Sequence, residues 1–199
     1  MAEGTSPSTR RGFMVASLVV NAVALLGCQD LRDRPRKEVV LSSPNEAPAA
    51  EVEPGRKHYL VTPGKVLPQY FMRSEWRAPS ASRTPGPPRM NSRGVVPIVD
   101  EAWQKGDPIP LWASGAWLNH PKAEWVSLLP EREAEEKAWV AALQTALKQG
   151  PIRGPVSQIV GKKSGEGSAE HEAIAKLEAQ EGLKSDPRAP VISFDPPKP

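Results

Sequence analysis

Cysteine is nearly absent. The single thiol at Cys28 among 199 residues excludes an internal disulfide and any multi-cysteine metal site. Histidine is scarce too: His58, His120 and His171 have no Cys, Asp or Glu at metal-ligand spacing, and HExxH and CxxC do not occur. His120, between Asn119 and Pro121, reads as a turn residue. There is no GxSxG and no phosphate-cradling glycine loop, so no catalytic set can be assembled and no cofactor is expected. Charge of one sign is also missing. Lys and Arg number 26 against 23 acids, a net +3 scattered along the chain, which lacks the footprint of a nucleic-acid binder. Long apolar runs are confined to residues 13–27. What is plentiful is proline, 23 residues, with 15 Gly and a hydrophobic share of 39%. This composition excludes a large α/β enzyme and a multi-span membrane protein, and it fits a small core with long connections.

The N-terminus reads as an export signal. Arg10 and Arg11 supply a positive start, and residues 13–27 (FMVASLVVNAVALLG) form an apolar stretch of 15 residues. A bilayer-spanning helix needs about 20 apolar residues, so this run suits a cleaved signal better than an anchor. It ends in Leu25-Leu26-Gly27-Cys28, which resembles the bacterial lipoprotein box. That resemblance implies cleavage after residue 27, diacylglycerol on the Cys28 thiol and acylation of the new amine. Thr9-Arg10-Arg11-Gly12-Phe13-Met14 also resembles the twin-arginine motif, although Val15 replaces its usual lysine; ordinary secretion fits the same residues. Gln29 is not the Asp that favours inner-membrane retention, so the resemblance implies the outer membrane, facing the periplasm. The first partner expected is therefore a lipid bilayer, reached through acylated Cys28.

Residues 28–58 alternate charges with Pro, Ala and Ser and read as a flexible tether. The folded part is expected over 59–150, which holds all six Trp (Trp76, Trp103, Trp112, Trp117, Trp125 and Trp139) and both Tyr. Short strands are expected at 58–62 and 95–99. An edge strand or turn is expected at 65–72, and a Pro/Ser/Arg loop at 77–94. Residues 130–149 form the clearest element. Pro130 suits a helix start, Glu131, Glu133, Glu135 and Glu136 compensate the dipole as surface charges, and Lys148 precedes the Gly150-Pro151 stop. Trp139, Val140, Leu143, Ala146 and Leu147 make one apolar stripe. Residues 151–167 read as loop, 168–181 as a weaker helix between Ser168 and Gly182, and 184–199 as a Pro-rich extended or disordered tail. The fold expected is thus a small α+β or largely irregular domain with one clear helix. Trp112, Trp117 and Trp125 are its candidate contacts for a partner or for the sugar rings of an envelope glycan, with core packing as the alternative.

The segment 66–150 resembles the DotC lipoprotein family of type IVB secretion systems. The resemblance rests on Val66-Leu67-Pro68, on Ile98 with Ala102-Trp103, on Pro110 with Trp112, and on Trp117-Leu118. Leu128-Leu129-Pro130 with Glu135 and Trp139 follows, and Gly150 closes the match. The chain departs from that family in lacking a helical region before Val66, in Gln69 replacing a proline, and in the Gly150-Pro151 break. The resemblance implies a non-catalytic subunit of a secretion or conjugation core, with other envelope proteins as partners. A glycan-binding or peptidoglycan-binding module is the other function expected.

Overall fold

The computed structural model describes residues 37–54, 58–77, 89–121, 129–162 and 168–196. The fold is mixed α+β and rich in sheet. Among the described residues, eight strands, β1 (Glu38–Val40), β2 (Tyr59–Thr62), β3 (Lys65–Val66), β4 (Met72–Arg77), β5 (Arg89–Val99), β6 (Leu111–Pro121), β7 (Ile152–Ile159) and β8 (Pro190–Ser193), join two α-helices, α1 (Leu129–Gln149) and α2 (Ala169–Glu181). The strands lie in the order β1-β2-β7-β8-β6-β5-β3, with β4 also on β5. The β1–β2 and β6–β8 pairs are parallel and the others antiparallel.

Alternation along the strands divides the core in two. Val96, Ile98, Leu111, Ala113 and Ile192 pack with Trp139, Val140 and Leu143 of α1. Their neighbours Val95, Trp112 and Val191 belong to a second cluster with Ala173, Ile174 and Leu177 of α2. Side chains in a strand point alternately to opposite faces, so the sheet is covered by one helix on each side.

The helix expected at 130–149 is present. Its stripe is buried at Trp139, Val140 and Leu143 and partly buried at Ala146 and Leu147. It is one of two α-helices among the described residues: α2 begins at Ser168, whose hydroxyl accepts from the His171 N–H, and ends at Gly182 with φ +68°. A residue with left-handed backbone at this position is the usual helix stop.

Elsewhere the structure corrects the expectations. The fold is not largely irregular, and it extends beyond 59–150 on both sides. Within the stretch expected as tether, β1 pairs with β2, Pro44–Ala49 form a 3-10 turn, and Leu41, Ala47 and Val52 are buried. A few apolar residues, spaced to dip into the core, suffice to order a segment whose average composition is polar. The expected loop at 151–167 contains β7, and the expected tail contains β8, flanked by β7 and β6. Pro190 stands first in β8, where a strand tolerates proline. The expected loop at 77–94 overlaps β5 from Arg89.

Candidate functional site

Strand β4 is the element that brings polar side chains together, because its alternate residues reach both helices. On the α1 side, Arg73 donates from Nη1 to Glu136 Oε1 at 2.7 Å and from Nε toward Glu75 Oε1 at 3.0 Å. Glu75 Oε1 also accepts from Arg132 Nη2 at 2.5 Å. Arg132 and Glu136 are buried, so Glu136 is not the surface charge that its place in the helix start implied. On the α2 side, Ser74 donates to Glu172 Oε2 at 2.8 Å. Two residues on, Trp76 lines a cleft of about 890 Å3.

The cleft lies between β4, β5, β7 and the first turn of α2. Besides Trp76 it is lined by Arg93, Gln158, Ser168, Glu170 and Glu172, with Glu53, Ser157 and Lys162 among the remaining lining residues. Each position follows from local structure. Arg93 sits opposite Ser74 in the β4–β5 register and so shares its face. It pairs with Glu170, which is buried in the first turn of α2. Burial draws the Arg93 guanidinium below its ordinary pKa, because it loses water that stabilises the cation. Glu172 lies below the usual carboxylate range, chiefly through its hydrogen bond with Lys176 and then through that with Ser74. Ser168 donates to Gln158 Oε1 at 2.5 Å while capping the helix. Gln158 is buried, and its Nε2 has no hydrogen-bond partner. A buried donor without a partner is costly, and this one is closed off from the solvent of the cleft.

A second, aromatic assembly lies on the other face. Trp117 and Trp139 meet edge to face at 5.9 Å, with Phe71 and Phe194 each about one ring away. The rings rest on a glycine floor: Gly94 and Gly115 are directly paired across β5 and β6. A Cβ on Gly115 would lie 2.7 Å from the Trp139 indole, and one on Gly94 would lie 2.4 Å from Phe71. The Trp139 Nε1 donates to the Phe194 carbonyl at 2.9 Å.

The three tryptophans singled out from sequence are therefore not one surface. Trp112 is fully buried against α2 and donates from Nε1 to Ser185 Oγ at 3.0 Å, which withdraws it from any partner or glycan. Trp117 is half-buried in the aromatic assembly. Trp125 lies outside the described residues, as do Arg10, Arg11, Leu25, Leu26, Gly27 and Cys28. Trp76 and Gln158, which do line a cleft, carried no motif; only the period-two pattern of β4 and β7 pointed to them. His58 Nδ1 accepts from the Glu53 N–H at 2.7 Å, and no group of three or more potential metal ligands occurs among the described residues. No helix among them is long and apolar enough to cross a membrane. No protein-family model, curated protein or solved structure matches the chain.

Proposed function

We propose that the chain is a lipid-anchored bacterial envelope protein, held through acylated Cys28 at the outer membrane and facing the periplasm. Its folded body serves there as a non-catalytic structural or assembly component. The observation that carries the reading is Leu25-Leu26-Gly27-Cys28 closing a short apolar run, with Cys28 the sole thiol. The body supports a covalent rather than an adsorptive attachment. Its sheet is covered on both faces by its own helices, and Val40 is the one exposed large apolar side chain among the described residues. With a net charge near +3 and no basic cluster, acyl chains must supply the membrane affinity, at about 0.8 kcal/mol per buried methylene. The resemblance of 66–150 to the DotC family supports a type IVB secretion or conjugation core as the assembly. Metabolic labelling with palmitate tests the anchor: the wild type takes up label and Cys28→Ser does not. Equal labelling of both overturns the reading.

A further inference from the structure

We propose that the outer edge of β1 pairs with the same edge of a second copy of this chain, antiparallel about Val39, so that two sheets join into one. Strand β1 ends the strand order, with β2 on one side only. The Tyr59 N–H donates to the Lys37 carbonyl and the Leu41 N–H to the Val61 carbonyl. In a parallel ladder such bonds fall on alternate residues, so Lys37, Val39 and Leu41 face β2, while the N–H and C=O of Glu38 and Val40 point away from it. Those outward groups have no backbone partner among the described residues. An edge of this kind is a template for another strand. A second observation falls on the same residues: Val40 is 71% exposed, the one exposed large apolar side chain among those described. At the other end of the sheet, β4 carries Arg73, Glu75 and Arg77, charges of the kind that keep an edge unpaired.

The edge is complementary to itself in one register. Centred on Val39, Glu38 of each copy faces Val40 of the other, and each such pair exchanges both backbone bonds. Centred on Glu38, two carboxylates would stand directly opposite each other, which destabilises a sheet. Centred on Val40, Glu38 would have to bond Ser42, whose N–H is already held by Glu46 Oε2 at 2.9 Å. With Val39 at the centre no like charges meet, and Glu38 keeps its own counter-charge, Arg153 Nε at 3.4 Å. Three residues a side is far below the roughly 20–30 of a stable interface, so the pair does not persist in dilute solution. It forms where acyl chains root the copies in one leaflet and confine them to a plane, and in that respect it rests on the proposed function. It deepens that function by giving the assembly component a partner, a second copy of itself.

The test uses the acylated full chain in vesicles of phosphatidylethanolamine and phosphatidylglycerol, where lipid occupies the Cys28 thiol and an introduced cysteine is the one free thiol. Across the two-fold axis the Val39 Cα atoms form a non-hydrogen-bonded pair about 4.5 Å apart, within disulfide reach. The two Val40 positions are diagonal, about 7–8 Å apart, and outside it. Under mild oxidation Val39→Cys should therefore give disulfide dimer roughly tenfold faster than Val40→Cys. A mixture of Glu38→Cys and Val40→Cys chains, altered at exposed positions that face each other in this register, should dimerise as well, even where Val39→Cys fails to fold. Val40→Pro removes an N–H that β2 does not use, so it keeps the thermal midpoint and, added to Val39→Cys, abolishes the dimer. Absence of dimer from folded Val39→Cys or from the mixture, equally fast dimer from Val40→Cys alone, dimer that Val40→Pro leaves unaltered, or a midpoint that Val40→Pro lowers overturns the pairing. Palmitate labelling of the same sample reports the anchor separately. Where label is absent, the Cys28→Ser chain held by an N-terminal hexahistidine tag on nickel-chelating lipid takes the same oxidation test, so the anchor and the edge fail independently.

Discussion

At Gly115 one added carbon would lie 2.7 Å from the Trp139 indole, so the ring and the bare backbone fit each other. Trp139 is also 6% exposed and donates to the Phe194 carbonyl. Trp139→Ala leaves a void on the glycine floor and an unpaired carbonyl, and should cost ~3–5 kcal/mol in urea unfolding. Against a total of ~5–15 kcal/mol for a small domain, that is a large share. Gly115→Ala attacks the same contact by overpacking and should cost ~1–3 kcal/mol. An unchanged midpoint for Trp139→Ala would show that the indole contributes little to the fold. Glu172 makes a prediction about pH. Its native pKa lies below the ordinary 4.5, so its contribution is present above the unfolded value and is lost as pH falls through the native one. Wild type should therefore exceed Glu172→Gln in stability at neutral pH, and the two should converge below pH 4.5; a gap that persists in acid would contradict the assignment. Trp139 was legible because its helical stripe is periodic. Trp112 and Glu136 were not, because burial in a strand or against a distant arginine leaves no local mark.

Elements were legible in proportion to how local their signals are. Both helices carry start and stop residues within their own sequence, Ser168 and Gly182 for α2. Gly182→Ala should lower stability by ~1 kcal/mol, since it keeps φ +68° without the freedom of glycine. Nothing lies within 4 Å of the added carbon, so the loss measured by thermal unfolding reports backbone strain alone. No loss would mean that the helix end shifts to avoid it. The strands hid better. In β7 the buried positions Ile152, Gly154 and Val156 alternate, yet Gly154-Pro155 reads as a turn. Glycine stands there because a Cβ would lie 2.6 Å from the Ser193 carbonyl, a neighbour far along the chain. Strand β1 is only three residues long, and its partner lies some twenty residues away. Strand propensity is set by such neighbours, which a linear reading does not contain.

For the whole molecule, the decisive placement is β8. It lies in the interior of the sheet and bonds both β7 and β6, although it is the last of the described strands in sequence order. Val191 and Ile192 are fully buried on opposite faces, so one short strand contributes to both cores. A chain cut after residue 150 keeps all six tryptophans but loses β7, β8 and α2. It should fail to give a cooperative thermal transition or dispersed amide resonances, where the full chain gives both. A folded fragment would show that 59–150 is autonomous after all.

On the proposed acylation of Cys28, about nine residues separate the anchor from β1 at Glu38, against the thirty or so that separate it from residue 58. Whatever conformation they take, nine residues span at most roughly 30 Å, about the thickness of a bilayer's hydrocarbon core. An anchor there would hold β1 within that distance of the leaflet, giving it a high effective concentration toward neighbours in the same thin layer and none toward targets beyond it.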